Sequence, residues 1–138
     1  MTLNRRGCAG LVALGVMAMS ATGVLADQPA GLAFSCTGSA GVDAARVAEI
    51  CADFLQAVRS LPDLSKAEMQ AAPLASGPGL EIVVAKVTAT KLEVIPTSVD
   101  AAGRRSVQPP TGILTMDTSL TSARRLAFFR KLLADFSR

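Results

Sequence analysis

The sequence predicts a small α+β domain, a two-layer sandwich whose mainly antiparallel sheet carries two helices on one face in the order β-α-β-β-β-α. Three observations carry this prediction. Apolar residues recur at helical spacing in two separate segments, 43–60 and 119–136. Between them, residues 80–95 are crowded with β-branched side chains. Pro- and Gly-rich stretches at 62–79 and 96–112 interrupt the chain on either side of that run.

The elements follow in chain order. Leu32 to Cys36 is a short apolar run and reads as the first strand. Thr37 to Val42 is a Gly/Ser turn, and Asp43 is placed to cap the helix that follows. In that helix Val47, Ile50, Cys51, Phe54, Leu55, Val58 and Leu61 share one face. Arg46, Glu49, Asp53, Gln56 and Arg59 are expected on the opposite, solvated side. Pro62 ends it. In the connection 62–79, Ser65-Lys66-Ala67-Glu68 matches a capping box and favours a short helix near 66–72, with an edge strand as the close alternative.

Leu80 to Ile95 is too long for one ordinary strand and is expected to fold into two antiparallel strands around a turn at Ala89–Lys91. Residues 96–112 read as a long connection, and Ile113 to Met116 as the last strand. Asp117, Thr118 or Ser119 caps the final helix, whose inner face holds Leu126, Phe129, Leu133 and Phe136 with Phe128 and Leu132 beside them. This order of elements is similar to that of small periplasmic α/β modules such as the N-terminal domain of TolB-like proteins. The likeness is one of architecture and brings no motif residue with it.

Residues 1–26 read as a cleavable secretory signal. Arg5 and Arg6 supply the positive start, and Leu11 to Met19 an apolar stretch too short for the roughly 20 residues of a membrane span. Val24 and Ala26 suit cleavage between Ala26 and Asp27. Export through the Sec route follows, to the periplasm in a Gram-negative bacterium and otherwise to the medium. A flexible tail, 27–31, then precedes a single domain at 32–138, with no transmembrane anchor once the signal is gone. Cleavage also changes the charge. The whole chain carries 14 cations against 11 acids, a net +3. Loss of Arg5 and Arg6 leaves a nearly neutral domain, which argues against nucleic acid as a partner.

Cys8 leaves with the signal, so Cys36 and Cys51 remain as an even pair in an oxidising compartment and are expected to form a disulfide. Closing a loop of that size contributes about 3 kcal/mol in the chain-entropy model. No Cys-x-x-Cys, flanking Lys or His is present to activate either thiol.

Catalytic signals are scarce. The chain has no His, which removes Ser-His-Asp and Cys-His chemistry, an imidazole base and His-ligated metal. No phosphate-cradling loop, dinucleotide fingerprint, Ser-x-x-Lys or EF-hand spacing occurs, and no metal or other cofactor is expected. Asp117 stands at a strand-to-helix junction where acids often act, and reads more simply as a helix cap.

Two features point instead to binding. Arg124, Arg125, Arg130 and Lys131 cluster on the last helix and Arg104 and Arg105 in the preceding loop, a candidate surface for an anion or an acidic partner. The bland reading is that they solvate the outer face and complement the helix dipole. With both helices on one face, the other face and the edges of the sheet are open to a partner strand. The expectation is therefore an exported, non-enzymatic binding or accessory module acting on another envelope protein. The alternative is a carrier of a small molecule or lipid with a pocket between the helices and the sheet, which a cavity lined by Phe54, Phe129 and Leu133 would support. An enzyme lacking His is a distant third.

Overall fold

A computed structural model describes residues 31–137 of the chain. The signal reading, the Ala26–Asp27 cleavage site and nearly all of the 27–31 tail lie outside these residues. Eight elements follow one another: β1 (Ala33–Gly38), α1 (Ala44–Arg59), β2 (Met69–Gln70), β3 (Gly79–Val87), β4 (Lys91–Val99), β5 (Arg105–Val107), β6 (Thr111–Leu114) and α2 (Ser122–Phe136). They build an α+β fold with a mixed, mostly antiparallel sheet of six strands in the order β2-β1-β3-β4-β5, with β6 also on β4. Residues 32–137 form one compact unit.

The core lies between the sheet and the two helices. Leu80, Ile82 and Val84 of β3 point to the same side as Leu92 and Val94 of β4, because side chains alternate along a strand. Against them lie Ile50, Phe54, Ala57 and Val58 of α1 and Phe129 and Leu133 of α2. The rings of Phe54 and Phe129 meet at 5.1 Å between centroids, and Phe34 of β1 meets Phe54 edge-on at 6.2 Å. Phe54, Phe129 and Leu133 are all buried in this packed core.

Helix α1 forms where its periodicity places it. Asp43 accepts a hydrogen bond from the Arg46 N–H at 3.0 Å, as an N-cap should, and the helix ends before Pro62. Cys36 on β1 and Cys51 on α1 are joined by a disulfide with 5.7 Å between their Cα atoms.

Other boundaries differ from the sequence reading. Residues 66–72 hold no helix, and Met69–Gln70 pair in parallel with Phe34 and Ser35 as a two-residue edge strand. The capping-box segment sits between Pro62 and Pro73 with too few residues to sustain a helix against its nucleation cost. Strand β4 runs on to Val99 through Pro96, which is inside a strand rather than in a connection. The Pro96 carbonyl accepts from the Gln108 N–H at 2.8 Å, on the side where β5 gives way to β6. N–H and C=O of one antiparallel residue point the same way, so the donor that proline lacks falls at that break. The supposed connection 96–112 thus holds the end of β4, all of β5 and the start of β6. Helix α2 starts three residues later than expected, with Thr121 as its cap.

The reverse face of the sheet is covered at one end only. The segment after β2 crosses it and lays Leu74, 3% exposed, over Gly79, where no side chain stands in its way. Glu81 holds this segment by accepting from the Leu74 N–H at 2.7 Å, and Ser35 Oγ donates to the Ala72 carbonyl at 2.6 Å.

Candidate functional site: an open strand edge beside a basic helix wall

Strands β5 and β6 both run antiparallel to β4 and are together one edge strand broken at Gln108-Pro109-Pro110. Prolines guard the break. Strand β6 itself, Thr111-Gly112-Ile113-Leu114, has no Pro, Lys or bulge, and no strand pairs its far edge among the described residues. The Thr115 N–H donates to the Thr90 carbonyl at 2.8 Å. By alternation, the backbone groups of Gly112 and Leu114 turn outward.

Beside this edge runs α2. Its inward line is Arg125, Phe129 and Leu133. One face over, Arg124, Phe128 and Lys131 form a wall that, with β6, borders a trough of about 560 Å³. Ile113 and Leu132 contribute apolar surface, and Asp135 stands at the far end. A second hollow of about 440 Å³ shares Thr111, Leu132 and Asp135 with the first and continues toward Pro109 and Phe136. The trough is thus apolar along its bottom, basic along the first part of its wall and acidic only at Asp135.

The six cations expected to form one surface separate into two groups. Arg104 pairs with Asp100 in its own turn, Nε to Oδ2 at 3.1 Å. Arg105 reaches over the sheet to pair with Glu81 and donates to the Leu74 carbonyl at 3.1 Å, so it closes the crossing segment. Arg125 is buried: its Nε meets Asp53 Oδ2 at 2.6 Å, and its other nitrogens reach the Leu120 carbonyl at 3.0 Å and Glu49 at 3.3 Å. These three hold the fold together. Arg124, Arg130 and Lys131 are exposed and have no ion-pair partner among the described residues. The structure brings Arg124 and Lys131 together along the trough, while Arg130 lies off it.

Asp53 corrects a second expectation. Its place in the helical pattern puts it on the solvated side of α1, yet it is 7% exposed at the border facing α2. There it also accepts a hydrogen bond from Ser122 Oγ at 2.6 Å. Asp117 is exposed and caps no helix, because Thr121 takes that place.

Among the described residues no group of three His, Cys, Asp or Glu is gathered to hold a metal ion. No helix among them is long and apolar enough to cross a membrane. No family model, curated protein or solved structure matches this chain.

Proposed function

We propose that this protein is an exported binding module that captures an extended segment of another envelope protein along the free edge of β6. The observation that carries this reading is the pairing of two complementary surfaces. A short strand offers outward backbone donors and acceptors, and a helix beside it offers apolar and basic side chains. An added strand draws affinity from main-chain hydrogen bonds, and its alternate side chains fall on the neighbouring wall. The disulfide between Cys36 and Cys51 accords with an oxidising compartment. The close packing around Phe54 and Phe129 favours this surface reading over a ligand held among those residues.

The test is photo-cross-linking in the native host. A photoreactive residue replaces Ala127 on the trough wall, and a control replaces Ala102 in the β4–β5 turn. The expected result is a defined cross-link from position 127 to one segment of one envelope protein. Leu114→Pro should abolish it by removing an outward N–H from the edge. Recovery of monomer alone from position 127, or equal cross-linking from both positions, overturns the reading.

A further inference from the structure

The charge of the trough goes further than its shape and says which strands it selects. Resting on the docking site just described, we infer that the captured segment alternates apolar and acidic residues, with its acids at the end lying against Arg124 and Lys131.

The argument starts from spacing. Arg124 and Lys131 are seven residues apart, about 10 Å along the helix axis at 1.5 Å per residue. In a strand, side chains on one face recur about every 7 Å, so acids at i and i+2 or i and i+4 come within reach of two long, flexible cations. Neither cation is occupied by a carboxylate of the chain itself among the described residues. Three other arginines of similar appearance in sequence are all paired. Of the six clustered cations, Arg124 and Lys131 are the two that face the trough.

Polarity follows from Asp135. It lines the trough beside Thr111 and Leu132 and also the hollow beyond, at the opposite end of α2 from Arg124. An acidic side chain placed there meets a like charge, whereas an apolar one meets Leu132 and, farther on, Phe136. The acids of the guest therefore lie toward the Leu114 end of β6 and its apolar residues toward the Thr111 end. The exposed Leu114 offers further apolar surface at the acid-binding end, which favours Val or Leu between the two acids.

Three eight-residue peptides test this by fluorescence anisotropy on the intact exported protein at low salt. In the first, Glu alternates with Val over four residues and Thr alternates with Val over the rest. In the second and third, Gln or Lys replaces Glu. The Glu peptide should bind about three- to tenfold more tightly than the Gln peptide, and the Lys peptide most weakly. The advantage should shrink as salt rises to 0.5 M, because these pairs are exposed. The double variant Arg124→Glu with Lys131→Glu changes only exposed side chains and should reverse the order. Equal binding of all three peptides, or an order unchanged in the variant, overturns acid selection. Amide exchange separates that failure from failure of the docking site. If the peptides bind equally yet slow exchange at Gly112 and Leu114, the edge remains the site and only the charge preference falls. If none binds at millimolar concentration, or binding leaves those two amides unchanged, the docking site falls as well.

Discussion

Asp53 of α1 and Arg125 of α2 meet at 2.6 Å across the helix pair, both nearly excluded from solvent, and this contact joins residues 72 positions apart. Each partner has further bonds. Ser122 donates to the second oxygen of Asp53, and Arg125 donates to the Leu120 carbonyl just before α2. The pair therefore sets the position of α2 against α1 and, through it, the wall of the trough.

Removing Asp53 takes away the closest acid of Arg125 and leaves the buried guanidinium with the Leu120 carbonyl and the exposed Glu49. Asp53→Ala should destabilise the protein by about 1–3 kcal/mol, because a short charge-assisted hydrogen bond to a buried guanidinium is lost while Glu49 still faces it. Replacing both, Asp53→Leu with Arg125→Met, should cost far less than either single change, since an apolar contact of similar volume also satisfies the site. Urea unfolding of Asp53→Leu, Arg125→Met and the double of these two gives the coupling energy directly. Additive losses would show that the two side chains act independently.

The Cys36–Cys51 bond ties α1 to β1 and closes a loop with a sequence separation of 15. A loop of that size contributes about 3 kcal/mol by restricting the unfolded chain. Cys36→Ala with Cys51→Ala should therefore lower the urea midpoint strongly while the far-UV spectrum keeps its helical signal at low denaturant. Intact mass before and after alkylation checks the premise. Two thiols alkylated without prior reduction would remove it.

On the reverse face, Glu81 is the one carboxylate that holds both the Leu74 N–H and Arg105. Glu81→Ala leaves a buried N–H without an acceptor, a loss of about 1–3 kcal/mol. The loss should be local first. Hydrogen exchange and protease cleavage should rise in residues 71–78 before the β3–β4 pair loosens. Uniform acceleration across the sheet would instead mean that the crossing segment is no separate unit.

Local pattern made α1 legible, since Asp43, the apolar face and Pro62 all agree on its limits. It made β5 illegible. Arg105-Ser106-Val107 has no strand signal of its own, and becomes a strand because β4 offers a partner and Glu81 an anchor for Arg105. Met69–Gln70 likewise takes its conformation from β1. At the candidate site, the cations on α2 were visible but their division was not. Arg124 and Arg125 are neighbours in sequence, yet one helical step of 100° sends the first to the trough and the second into the interior. One signal was available. Arg125 stands four and eight residues before Phe129 and Leu133, on the buried line of α2, where a lone cation requires an acid from another element. That acid, Asp53, sits at the border of the apolar face of α1.

Gly112 tests whether β6 must lie tightly on β4 for the trough to exist. A Cβ at this position meets the Leu92 carbonyl oxygen and closely approaches the Glu93 Cα, both of them backbone and unable to turn aside. Gly112→Ala must therefore lift β6 from β4, loosening the Ile113 contact with the core. A stability loss of about 1–3 kcal/mol is expected from this overpacking. Capture of a strand should fall much more than stability does, because the outward backbone groups lose their alignment with the α2 wall. Leu114→Pro makes the contrasting case, since its ring replaces an exposed side chain on an edge and leaves the inward bonds in place. It should abolish capture while costing less stability than Gly112→Ala. Thermal unfolding paired with peptide anisotropy separates the two, and a Gly112→Ala protein that binds like the wild type would show that the position of β6 is irrelevant to docking.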